Sequence, residues 1–264
     1  MLSVIIPVGP GRLEHLTWCL AFLEKQTYRD FEVLVVENAG EDLSPAVREI
    51  SRPIKILCQG QQAPNLGAVN RNAGAAMADS DFLLFLDVDV LLHPKALSYY
   101  AEDFRNFPMR AIAGPYHWTA PLEVVGDWDA LSLIADEGIE KEKGPRVAFD
   151  TRLPWECVSP DSLYCDYYKS LMLLAGNMAI HRKVFQCAGG FWEDLSNGID
   201  GAFGVALCQS GHVFSFDRRA VGYHLYHPAY EWVDFTETRQ KLIERFHSDS
   251  SWIGQMKNWG WPWQ

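Results

Sequence analysis

Four short apolar runs, at residues 2–7, 31–36, 54–58 and 82–86, punctuate the first part of the chain, and segments of helical character lie between them. A run with no polar alternation is the pattern of a strand buried on both faces. Leu13, Leu16, Leu20 and Leu23 recur at helical spacing and predict a helix over 12–25. A short helix is expected at 46–50, a small-residue helix at 65–78, and an amphipathic helix carrying Leu97, Tyr100, Phe104 and Phe107. Strands and helices in alternation imply a mostly parallel central sheet with helices on both faces.

Pro7, Gly9, Pro10 and Gly11 break the first run into a loop. From 116 to 168 the periodicity fails and Trp, Pro, Gly and acidic residues dominate, the pattern of a functional or mobile segment. Order is expected to return at 171–180, with helices at 183–188 and 201–209 and a strand at 213–216. Trp232, Phe235, Leu242 and Phe246 then share helical spacing, followed by Trp252, Trp259, Trp261 and Trp263. There is no internal repeat.

The 264 residues, 48% of them hydrophobic, suffice for a sizeable core. With 23 basic against 34 acidic residues the formal charge is −11, which opposes the phosphate attraction that nucleic-acid binding needs. A phosphate ligand must therefore be met locally, by a metal or a few placed groups. No apolar stretch approaches the about 20 residues that span a bilayer, and residues 2–8 lack the basic flank of a leader, so the N-terminus reads as a first strand. The six cysteines form no Cys-x-x-Cys pair and read as reduced packing residues of a cytoplasmic protein.

Asp87-Val88-Asp89 directly follows the fourth apolar run. Two carboxylates beyond a strand's carboxyl end lie where open α/β sheets bind ligands. If the backbone stays extended, both face one side and could share a hard divalent cation; the plain alternative is a solvated acidic turn. His224 and His227 could complete such a site for a Mn-like ion, with His227, beside Pro228, the first choice. Asp200 opens an apolar helix after a turn-rich stretch, as an N-cap or as a carboxylate placed to take a proton from an attacking hydroxyl. Asn65, with Arg71 and Gly67, could meet a phosphate or ribose, or form a solvated helix face.

Together these residues resemble the family 2 glycosyltransferases of the GT-A fold. The resemblance runs from Ser3 through His227-Pro228, on Pro7, Glu37-Asn38, Arg71-Asn72, Asp87-Val88-Asp89 and Gly189-Gly190-Phe191. It implies one Rossmann-like GT-A domain over 1–228, with a nucleotide-binding half (1–114) and an acceptor-binding half (115–228), and a Trp-rich helical tail over 229–264. It implies that Pro7, Val8 and Glu37 border base and ribose, that Arg71 lies near ribose or phosphate, and that Asp87 touches ribose and metal. Asn65 and Val88 are counted with that set, and Asp89 would be the main metal carboxylate.

The Asp-Val-Asp and later His pair also look like the metal set of β-1,4-galactosyltransferases, with His224 standing where that family has Met. Of the family's Glu-Asp base pair, Ile199-Asp200 keeps the Asp. The implied activity is Mn²⁺- or Mg²⁺-dependent, inverting transfer of a hexose or N-acetylhexosamine from a UDP-sugar to a hydroxyl of a saccharide-type acceptor, as in polysaccharide biosynthesis.

Trp192 and Trp118 offer indole faces to an acceptor, and Glu193 and Asp194 could bond its hydroxyls; core packing or a solvated turn is the alternative for each. The tail's mixed charges favour docking on protein over a membrane surface, and a second subunit stays open. Two rival readings are a sugar-phosphate nucleotidyltransferase, for which residues 8–12 are a poor phosphate loop, and a nucleotide-sugar or glycan-binding module without catalysis.

Overall fold

The computed structural model describes residues 1–38, 40–48, 50–60, 65–118, 173–225 and 236–245, with backbone alone at 116–118 and 239. The strands are β1 (Leu2–Val8), β2 (Phe31–Glu37), β3 (Ile54–Cys58), β4 (Phe82–Leu86), β5 (Val90–Leu92), β6 (Ala111–Ala113), β7 (Tyr116–Trp118), β8 (Asn177–His181), β9 (Phe214–Phe216) and β10 (Gly222–His224). The helices are α1 (Leu13–Glu24), α2 (Ser44–Val47), α3 (Leu66–Met77), α4 (Ala96–Asn106), α5 (Arg182–Cys187), α6 (Ile199–Gln209) and α7 (Thr236–Arg245).

A seven-stranded sheet runs in the order β3-β2-β1-β4-β8-β6-β9, with β8 antiparallel to both its neighbours and the other pairs parallel. Both faces are buried over β1, β2 and β4, as the unalternating runs require, but not over the edge strand β3, where Lys55, Ile56 and Cys58 are exposed, contrary to the expectation, because β3 has a neighbour on one side only. Val4, Ile6, Val33, Val35 and Leu84 pack with α1, α2 and α4, while Ile5, Leu34, Val36, Leu83 and Phe85 pack with α3, α5, α6 and α7. In α1, Leu16, Cys19, Leu20 and Leu23 form the buried stripe that the leucine spacing predicts.

Helix α4 stops at Asn106, one residue short of the expectation, and Phe107 is 44% exposed instead of joining the apolar face. The cause is local: the ring of Pro108 disfavours helical dihedrals at the residue before it. Helix α2 begins at Ser44, earlier than expected, with Pro45 in its first turn, where a missing N–H costs nothing. Of the described cysteines, Cys19 and Cys208 are buried as expected of packing residues, whereas Cys58 and Cys187 are exposed; Cys157 and Cys165 lie outside the described residues.

A second sheet, β5-β10-β7, was not foreseen, and its β7 lies in the stretch expected to be irregular. Each of its strands is three residues long, too short to leave a periodicity. Buried Asn177 fastens it to the large sheet: its Oδ1 accepts from the Tyr100 hydroxyl at 2.8 Å and its Nδ2 donates to the Ala220 carbonyl at 2.9 Å. Among the described residues no helix is long and apolar enough to cross a membrane.

Candidate functional site

Parallel pairing brings the C-terminal ends of β1, β2 and β4 to one edge. Val8 is in register with Glu37, Pro7 with Val36, and Asp87 follows the last residue of β4. Glu37 is buried, and its Oε2 accepts from the Gly40 N–H at 2.8 Å. The Cys58 thiol donates to the same carboxylate, which pushes the thiol's pKa up. Both amide atoms of Asn38 are buried with no hydrogen-bond partner among the described residues. A buried amide left unpaired costs about 1–3 kcal/mol. In the sequence the signal for Asn38 is an amide directly after the strand-ending Glu37.

The backbone does not stay extended through Asp87-Val88-Asp89. The Val90 N–H bonds back to the Asp87 carbonyl at 3.0 Å, so the tripeptide turns and its carboxylates take different partners, contrary to the expectation that alternation sets them side by side. Asp87 pairs with the guanidinium of buried Arg71, which lies 5.5 Å from the Phe191 ring centroid. Val88 is buried between the two acids.

Asp89, 8% exposed, has its Oδ1 at 3.6 Å from His224 Nε2 and its Oδ2 at 3.9 Å from Arg12 Nη1. The second sheet makes that meeting: His224 pairs with Val90 across β5 and β10, and the Leu225 N–H donates to the Asp89 carbonyl at 2.8 Å. His224 Nδ1 lies 3.0 Å from the Leu225 carbonyl. If Nδ1 donates there, the neutral ring turns its lone-pair nitrogen, Nε2, toward Asp89. A carboxylate oxygen beside an imidazole nitrogen is a donor pair suited to a Mn-like cation. Among the described residues no group of three or more such side chains gathers. His227, the expected first choice, lies outside the described residues.

Asp200 sits in the first turn of α6, but the N-cap is Gly198, so capping does not account for the carboxylate. Its Oδ1 is buried without a hydrogen-bond partner among the described residues. Burial pushes its pKa up, opposed by the Arg71 guanidinium and reinforced by the negative charge of Asp87, while the Ala175 backbone N–H bonds to the carboxylate. Asp200 thus feels the charges of both Arg71 and Asp87, which are themselves paired.

Three of the expected acceptor residues have partners within the chain. Glu193 Oε1 accepts from Asn72 Nδ2 at 2.8 Å, Asp194 pairs with Arg245 at 2.6 Å, and Trp192 lies 3.9 Å beneath the Arg245 guanidinium. Trp118 is placed by its backbone, paired with His224 across β7 and β10, and its side chain lies outside the described residues. Asn65 caps α3, its Oδ1 accepting from the Ala68 N–H at 3.1 Å. Arg12, beside Asp89, is not among the expected site residues; its signal in the sequence is its position in a glycine-broken loop after the first strand.

Residues 3–120 match the family described as glycosyl transferase family 2. The chain is 25% identical over 245 residues to a hyaluronan synthase of Pasteurella multocida, covering 87% of this chain and 25% of that protein. The chain spans less than a third of the first curated relatives it matches. Among solved structures, S. aureus TarS 1–349 in complex with UDP-GlcNAc superposes at a TM-score of 0.66 with 17% identity, over 97% of this chain and 69% of that one. A mannosyltransferase from Pyrobaculum calidifontis in complex with GDP-Man and Mn²⁺ superposes at 0.59 with 14% identity, over 97% and 68%. At these identities the likeness establishes the fold, which is GT-A.

Proposed function

We propose that the chain is a metal-dependent, inverting glycosyltransferase that moves a hexose or N-acetylhexosamine from a UDP-sugar to a hydroxyl of a saccharide-type acceptor. The observation that carries this reading is the Arg71–Asp87 pair at the carboxyl end of β4, with the Asp89–His224 pair at the end of the same acidic turn; buried Asp200, subject to the charges of Arg71 and Asp87, supports it. The family 2 match over residues 3–120 supports the reaction class, and the UDP-GlcNAc complex of TarS supports the donor class.

In this reading Pro7, Val8, Glu37 and Asn38 border the nucleotide, and Arg71 orients Asp87 toward it. Asp89 and His224, with His227 as a further candidate, would hold a Mn²⁺ or Mg²⁺ ion, which supplies positive charge to the leaving diphosphate. Arg12 adds a guanidinium on the same side. Asp200 takes the proton of the acceptor hydroxyl as its oxygen attacks the anomeric carbon from the face opposite the diphosphate, so one displacement inverts the configuration. The cysteine usage supports a cytoplasmic setting for this chemistry.

A donor screen that follows nucleoside diphosphate release, with and without Mn²⁺, tests the proposal. Release from a UDP-sugar is expected, lost with chelator and lost in Asp89→Ala; turnover indifferent to chelator would refute the metal's part, and donor binding without turnover across a broad acceptor panel would refute catalysis.

A further inference from the structure

We infer that α7, which lies beyond the family-matched residues 3–120, positions the Asp200 carboxylate by clamping the loop that leads into α6; this rests on the reading of Asp200 as the proton acceptor.

Three of the four residues at 194–197 are each gripped by side chains of α7. Lys241 donates to the Asp194 carbonyl, and Arg245 Nη2 donates to Asp194 Oδ2 at 2.6 Å. Ser196 Oγ donates to Glu237 Oε2 at 2.8 Å. Thr238 Oγ1 lies 2.8 Å from the Asn197 carbonyl and 3.0 Å from Asn197 Oδ1, within donating distance of both. From the other side Asn65 Nδ2 donates to the Ser196 carbonyl at 3.3 Å.

These contacts are unequal. The pairs to Asp194 are exposed, and exposed ion pairs contribute about 0–1 kcal/mol. Thr238 is fully buried, so its hydroxyl has little recourse to water and its bond to Asn197 is costly to lose. Leu242, one turn further along, is buried in the core that also contains Ile199, Ala202 and Phe203 of α6, which anchors α7 as a body.

The loop passes from Asn197 into Gly198, which is at φ +66° and is the N-cap of α6. That left-handed residue sets the direction in which α6 starts, and Asp200 follows two residues later. The stretch 194–197 belongs to no strand or helix, and its course is held by these side-chain bonds together with Leu195, which is fully buried in the same core as Leu242. A shift of the loop would turn the first helical turn and carry the carboxylate away from Arg71 and Asp87. Thr238 is thus a positioning residue.

The test compares Thr238→Val, Thr238→Ser and the surface control Gln240→Ala in the full chain, with the UDP-sugar that gives turnover in the donor screen. The Val variant is expected to lose about 10- to 100-fold in kcat, the penalty of a small misplacement of a reacting group, with donor KM within about twofold of wild type. The Ser variant, which keeps the hydroxyl, restores kcat, and the control matches wild type. Amide hydrogen exchange over 194–201 is expected to quicken in the Val variant alone. A Val variant with wild-type kcat, a Ser variant as impaired as Val, or a loss confined to KM overturns the inference. Should the Val variant not fold, Thr238→Ala, which also removes the hydroxyl, is read by the same criteria. If no donor turns over, the proposed function fails, and exchange decides the clamp: unchanged protection over 194–201 overturns it, faster exchange upholds it.

Discussion

Asp200 is costly to the fold and useful to the site. Its carboxyl is raised above the ordinary carboxylate value chiefly by burial, so the folded protein holds that proton more tightly than the unfolded chain. By linkage, the protonated group favours folding below the ordinary carboxylate range, and this advantage is lost as pH rises through the folded value. Asp200→Asn is therefore expected to melt no lower than wild type at pH 7, with any gain shrinking as the solution is made acidic. The same variant should lose about 10²–10⁴-fold in transfer while still binding UDP by calorimetry. A variant that melts several degrees lower at pH 7, or that keeps its activity, would contradict this account. In the sequence Asp200 was recognisable as an acid at a helix start, but whether it caps or reacts was not. That distinction depends on Gly198 occupying the cap and on the burial of Oδ1, neither of which is a property of neighbouring residues.

Helix α3 shows how closely the elements are fitted. A Cβ on Gly74 would overlap the Ile5 side chain of β1 and come within 3.2 Å of Val36 Cγ2 on β2. Overpacking of this kind costs typically about 1–3 kcal/mol, so Gly74→Val should lower the melting temperature, and an unchanged melt would show that helix and sheet can separate without cost. The longer elements were legible because burial repeats along them: α1 and the strands β1, β2 and β4 follow the positions of their leucines, valines and isoleucines. The three-residue strands β5, β7 and β10 were not, since one or two side chains per face carry no period. Those strands are what bring His224 to Asp89. The end of α4, by contrast, is explained by a single residue, Pro108.

In the molecule as a whole the candidate metal pair spans the turn after β4 and the end of β10, so a ligand bound there joins the two sheets. UDP with Mn²⁺ is expected to raise the melting temperature, since a ligand at 100 times its Kd stabilises the folded state by ~2.7 kcal/mol. The shift should vanish with chelator and in Asp89→Ala; a shift that persists in that variant would place the metal elsewhere. By itself the sequence determined the α/β class, the parallel half of the sheet and the place of the paired acids at its edge, because burial imposes a period that is repeated over many residues and survives local exceptions. Tertiary structure alone decided that Asp89 meets His224, that Asp200 is buried with Arg71 and Asp87, and that α7 grips the loop before α6. Each of those contacts joins residues distant along the chain through one or two pairings, and nothing repeats in the sequence to record them.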